Sequence, residues 1–237
     1  MQMIYETPMK IELSGTKLSV DDKEITPSVR MLSQLKEVMM NDVNIGKTGD
    51  LEMYYMYRDI LRKEEMRYDI TFIPYREVAG ECAKTYGHCH PIAEEKLTYP
   101  EIYQVLSGRA FFILQKELGS AANIVTMVDA KKGDVILIPP NHCHVSINPG
   151  PEDLLLSNIV ADNFKSVYSY FKENRGAAYY YADNGELIQN SNYIVEKNER
   201  ITAADLNRKY EFECRDLLTE FYSNPDKFEF LKKPSLL

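Results

Sequence analysis

From Tyr68 to about Gln189 the chain is a succession of short runs rich in Val, Ile, Tyr and Phe, separated by Gly, Pro and Asn at the intervals of an antiparallel sandwich or barrel. The middle of the chain is therefore expected to be all β. Its clearest members are Ile70 to Pro74, Ile102 to Leu106, Ala110 to Gln115, Asn123 to Val128, Asp134 to Ile138, Val145 to Ile147 and Leu154 to Val160. Asn184-Gly185, flanked by Ala177 to Tyr181 and Glu186 to Gln189, is a two-residue hairpin signal, since both residues tolerate positive φ.

The flanks differ in character. Val29, Leu32, Leu35, Val38 and Met39 recur at helical spacing and predict one short amphipathic helix over Ser28 to Asn41. The tyrosines between Leu51 and Leu61 favour a strand. After Asn192 the pattern turns helical: Thr202 can cap a helix through Arg208, and Leu217, Leu218 and Phe221 share one side before Pro225 interrupts. The expectation is one domain over 1–237, with a β core at about 65–190, an N-terminal arm over 1–64 and a helical extension over 191–237.

Composition narrows the function classes. With 44% apolar and 27% charged residues over 237 positions, the chain can bury a core in one domain. A formal net charge of -8 argues against nucleic acid or an anionic membrane as the main partner, so an anionic substrate must be captured locally. Cys82, Cys89, Cys143 and Cys214 contain no CxxC pair and are too few for a disulfide scaffold, which favours a reducing cytosol. Neither a signal peptide nor a membrane span is read, and a cytoplasmic protein is expected.

The four histidines form two copies of one pattern, His88-Cys89-His90 and His142-Cys143-His144. Residues two apart in a strand face the same side, so His88 and His90 can present two imidazoles to one point while Cys89 faces away. Histidine with a carboxylate and open positions suits a catalytic metal.

These residues also resemble the cupin superfamily, whose first motif has HxH followed by a Glu, six residues and a Gly. Glu101 and Gly108 match that ending. The second motif is matched by Gly133, Pro139, His144 and Asn148, with Asn141, which tolerates positive φ, in the place of a usual Gly. The gap from His90 to Glu101 is longer than in the general pattern, and Glu94 and Glu95 sit at the shorter distance; Glu101 is favoured because it alone reaches Gly108 and opens the run EIYQVL. Position in the second motif selects His144 over His142. The resemblance implies a jelly-roll-like antiparallel barrel or sandwich, to which the residue pattern adds a short helix in the N-terminal arm and a C-terminal helical extension. It also implies one divalent metal on His88, His90, Glu101 and His144.

A narrower resemblance follows. TYGHCHP, LTYPEIYQVLSGRAFFILQ and GDVILIPPNHCHVSIN are similar to the cupin-type, archaeal-type glucose-6-phosphate isomerases. That resemblance implies an aldose–ketose isomerase of glycolysis and gluconeogenesis acting on a sugar phosphate, a homodimer, and Fe2+ ahead of Ni2+, Mn2+, Co2+ or Zn2+. Within it Glu101 is the candidate general base and Tyr103, on the same face, a candidate donor to a sugar oxygen, unless it is simply a packed tyrosine. Thr71, Thr85 and Gly87 fall where the family binds phosphate. The family's Tyr and His near an Ala-Asp pair are absent: Ile159 stands in the first place, Lys165 in the region of the second, and Tyr168 matches a further Tyr. Two other classes use the same fold, a metal-dependent dioxygenase with oxygen in the open position and a non-catalytic sugar-phosphate-binding cupin.

Overall fold

In the computed structural model, which describes residues 2–118 and 122–237, two β-sheets carry the core. The larger runs from edge to edge through Val135–Ile138, Glu101–Ser107, Leu154–Ala161, Met66–Ile73, Glu52–Lys63 and Ser28–Met31. The smaller runs through Cys143–Ile147, Arg109–Leu118, Ala122–Lys131 and Ile194–Thr202. This mostly β core, with a short N-terminal helix and a helical C-terminal extension, is the cupin-type layout expected from the motifs.

Side chains alternate faces along a strand, yet every position of Leu154–Ala161 is buried, which requires cover on both sides of the larger sheet. One face shares a core with the smaller sheet: Tyr103, Val105 and Leu156 cluster with Phe112, Leu114 and Val145. The opposite face, through Ile102, Leu137, Ile159 and Tyr68, clusters with Ile11 and Leu18 of an N-terminal four-stranded sheet and with Leu217, Leu218 and Phe221 of the helix Leu217–Ser223. The extension is thus a covering layer. Its helix is started by Asp216, whose Oδ1 accepts the Thr219 N–H at 2.8 Å. Likewise Thr202 caps Ala203–Lys209 by accepting from the Asp205 N–H at 3.2 Å.

Three expectations need correction. Ser28 to Asn41 is not one helix: Ser28–Met31 is an edge strand paired with Glu52–Lys63, and only Leu32–Leu35, followed by a 3-10 turn over Lys36–Val38, is helical. Leu32, Leu35, Val38 and Met39 are nonetheless all buried. An open sheet edge gave the first residues inter-strand partners that an isolated turn of helix could not match. The segment after Asn192 begins with the strand Ile194–Thr202, parallel to Ala122–Lys131. Its Glu196, Lys197, Glu199 and Arg200 obscured the strand, and charged residues are how exposed edges avoid further pairing. At Asn184-Gly185 the hairpin exists, joining Tyr179–Tyr181 to Leu187–Gln189, but only Gly185 has positive φ, at 85°. The Ala182 N–H bonds the Glu186 carbonyl at 2.9 Å, so the loop is the longer type ending on a left-handed glycine.

The two motif turns behave as anticipated. Asn141 has φ 64°, the conformation its amide tolerates. At Gly108, φ is 79° and an added Cβ would stand 2.5 Å from the Asp153 carbonyl oxygen, so no side chain fits there. Among the described residues no helix is long and apolar enough to cross a membrane.

Because Phe221 is fully buried against the larger sheet, Phe221→Ala is expected to remove roughly 3–5 kcal/mol of stability. Urea unfolding checks this; an unchanged midpoint would show that the extension is not part of the core.

Candidate metal centre

Glu101 opens a central strand of the larger sheet, and His144 lies on Cys143–Ile147 of the smaller one. His88 is tied to His144 rather than lying in a long strand: the two exchange backbone hydrogen bonds of 3.0 and 2.9 Å. Alternation then carries His90 to the same side, as the HxH spacing anticipates. The imidazoles converge on one oxygen. Glu101 Oε2 is 3.2 Å from His144 Nε2, 3.3 Å from His90 Nε2 and 3.7 Å from His88 Nε2. His88, Glu101 and His144 offer donor atoms all within 4.8 Å of one another.

Protonation follows from partners. His90 Nδ1 donates to the Tyr99 carbonyl at 2.8 Å, which fixes its ring with Nε2 toward Glu101 and 3.0 Å from His88 Nε2. Burial, then the neighbouring His144, lowers His88 to about 3, and burial lowers His144. Burial alone would push the Glu101 carboxyl up; the facing imidazoles of His144, His88 and His90 outweigh it and hold it well below the usual range. Its other oxygen, Oε1, accepts from Asn158 Nδ2 at 2.8 Å. Glu101 Oε2 is buried without a hydrogen-bond partner, as is His144 Nδ1. An anionic oxygen and imidazole nitrogens converging on one point form a donor set for a cation, and nitrogen with carboxylate donors suits a divalent one.

His88, His90 and Glu101 line a cavity that also receives Tyr103, Thr71, Thr85, Gly87 and Tyr168. Tyr103 Oη stands 3.1 Å from His144 Nε2, and burial, then the Glu101 charge, pushes its hydroxyl well above its ordinary value. Thr85 Oγ1 accepts the Ser146 N–H at 3.1 Å, leaving its own proton to donate. Lys165 is exposed and does not line the cavity; Phe164 and Ser166, its neighbours of opposite parity, do. Ile159 is buried on the far face of the sheet, and Val160 takes the cavity position. His142 stays apart, with Nδ1 on the Pro140 carbonyl at 2.9 Å. Glu94 accepts from the Ser235 N–H and hydroxyl at 3.0 and 2.8 Å, pinning the end of the extension.

Sequence reasoning missed Asn158, Arg58, Arg67 and Asp69, all in the cavity wall. The signal was available, because Arg67 and Asp69 share the parity of Thr71 on one strand. It also missed a bond. Cys89, facing away from the cluster, forms a disulfide with Cys143, at a Cα separation of 4.1 Å. Each cysteine adjoins a histidine of the cluster, so the bridge ties the two histidine-bearing segments together. Cys82 and Cys214 are free.

The fold and this cluster define a class: a cupin whose buried His/His/Glu set is suited to a divalent metal ion. The family model described as Glucose-6-phosphate isomerase (GPI) matches residues 20–198, which include every residue of the cluster. Glucose-6-phosphate isomerase of Pyrococcus abyssi is 24% identical over 192 residues, covering 78% of this chain and 95% of that protein. The enzyme of Thermococcus onnurineus is 25% identical over 194 residues, covering 78% and 95%. That of Thermococcus gammatolerans is 26% identical over 204 residues, covering 81% and 100%. The chain belongs to the glucose-6-phosphate isomerase family. Family and cluster together make it an enzyme of isomerase type.

Two outcomes test this geometry. His88 binds no proton in the folded metal-free protein until about pH 3, whereas an unfolded histidine does so near 6.5. Stability is therefore unaffected by this group above 6.5 and falls as pH drops toward 3, by roughly 2 kcal/mol at pH 5. Denaturant titrations of metal-free protein should show that fall, reduced in His88→Gln; equal slopes would contradict it. For the disulfide, which spans a sequence separation of 54, loop closure contributes about 4 kcal/mol. Dithiothreitol should lower the urea midpoint of the wild type but not of Cys143→Ser, and no effect on either would show the bridge is not formed in solution.

Proposed function

We propose that this chain interconverts glucose 6-phosphate and fructose 6-phosphate, with one divalent ion held by His88, His90, Glu101 and His144. Iron is the first candidate; nickel, manganese, cobalt and zinc also suit the donor set. The reading is carried by one observation: His88, His90 and Glu101 of the metal-donor cluster line a cavity whose wall also holds Thr71, Thr85 and Gly87. The ion, when bound, would polarise the sugar carbonyl as a Lewis acid.

The chain's own groups divide the remaining work. Glu101, ionised and held at Oε1 by Asn158, is the proton acceptor beside the sugar, its basicity tempered by the imidazoles around it. Tyr103 keeps its proton at neutral pH and can donate it to a sugar oxygen. Tyr168, at the mouth, and Thr85, with its free hydroxyl proton, offer contacts to the substrate. A single domain over 1–237, a homodimer and a cytoplasmic setting complete the proposal, on the strength of the family and the acidic composition.

A coupled assay of fructose 6-phosphate isomerisation, with chelation and metal add-back, tests the proposal. Chelation should abolish turnover, add-back should restore it, and His88→Ala should lower kcat/KM by about 100-fold or more. Folded protein inactive with every metal would sink the isomerase reading; full activity in His88→Ala would sink the metal mechanism.

A further inference from the structure

A chain with net charge -8 has no general attraction for a phosphate dianion, so positive charge must be concentrated where the substrate lies. Lys165 is exposed and outside the cavity. Histidines aside, the cationic side chains lining it are Arg58 and Arg67. Both come from the same face of the larger sheet as Glu101. Arg67 lies opposite Val160, and Asp69 lies opposite Asn158, which in turn lies opposite Tyr103.

Arg67 is held in place. Its Nε donates to Asp69 Oδ2 at 2.8 Å, and Asp69 Oδ1 accepts the Asp59 N–H at 2.9 Å. Asp59 sits at the strand irregularity between Tyr57 and Leu61, with φ 62°. Asp69 is 5% exposed, so this is a buried carboxylate fixed from both sides. Among the described residues no acceptor engages either terminal nitrogen of Arg67. Arg58, whose charge acts on Asp69, donates to Ser28 Oγ and Met56 Sδ, both neutral, at 3.1 Å. The one carboxylate, paired with Arg67, offsets one of the two guanidinium charges, leaving one positive charge facing the cavity. A divalent ion beside ionised Glu101 leaves another, and the two together match a phosphate dianion.

We propose that Arg67, oriented by Asp69, and Arg58 form the phosphate-binding wall of this cavity and select phosphorylated over free sugars. The inference rests on the sugar-phosphate reading above and assigns its charge recognition to residues that reading does not use. A guanidinium with both terminal nitrogens free presents the fork that matches two phosphate oxygens. Thr71, two residues beyond Asp69 on the same face, adds a neutral donor beside it. Asp69 is a positioning residue: it acts through Arg67.

Calorimetry on metal-loaded protein tests this with two probes, 6-phosphogluconate and gluconate, with metal content measured separately. Arg67→Met should weaken 6-phosphogluconate by about 30-fold and Arg58→Met by about 5-fold, while gluconate changes less than twofold. In turnover, KM for fructose 6-phosphate should rise with kcat little altered. Since Arg67→Met leaves Asp69 buried and unpaired, Arg67→Met/Asp69→Asn provides a variant without that charge, and it should show the same loss of selectivity. Equal weakening of both probes, or 6-phosphogluconate binding within threefold of wild type in the folded variants, would overturn the assignment. Wild-type protein that binds neither probe would overturn the sugar-phosphate reading and this inference together, a result distinct from unchanged binding in the variants.

Discussion

The structure turns on a buried carboxylate. Glu101 is 3% exposed, ionised, and faced by three imidazoles whose environment keeps at least His88 and His144 neutral. An uncompensated charge in such a place is costly, and neutral histidines compensate it only in part. The surrounding fold is arranged to hold these groups regardless. The larger sheet supplies Glu101 and its Asn158 partner, the smaller supplies His144, the backbone pairing of His88 with His144 joins them, and the Cys89–Cys143 bridge fastens that joint. The result is a buried His/His/Glu set, with Glu101 Oε2 left without a hydrogen-bond partner, that suits a divalent ion.

Cover on both faces of the larger sheet explains how polar groups come to lie at its centre. The smaller sheet walls the cavity side, and the N-terminal sheet with the C-terminal helices seals the other. Alternation along the central strands therefore sends one set of side chains to the sealed face and the other to the cavity. Ile102 and Ile159 face outward from it, while Glu101, Tyr103, Asn158 and Asp69 face into it. The same alternation that builds the core builds the site.

Much of this was legible in the sequence because it depends on spacing. The HxH parity, the run from Glu101 to Gly108, and the positive φ of Asn141 are local properties, and the structure shows each. What was not legible depends on neighbours distant in sequence. Ser28–Met31 and Ile194–Thr202 are strands because a sheet edge was available, while their own residues read as helical or mixed. Cys89 and Cys143 meet because His88 pairs with His144, a register no spacing rule supplies. Lys165, which matches the family only by position, lies in solvent, whereas Arg67 and Asp69 share the parity of Thr71 and line the cavity with it.

Metal stoichiometry tests the central claim most directly. Titration of a divalent ion into metal-free protein, followed by calorimetry and elemental analysis, should give one ion per chain in the wild type and none in a folded Glu101→Gln/His144→Ala variant. Wild-type protein that retains no ion, or a variant that retains it with unchanged affinity, would contradict the account.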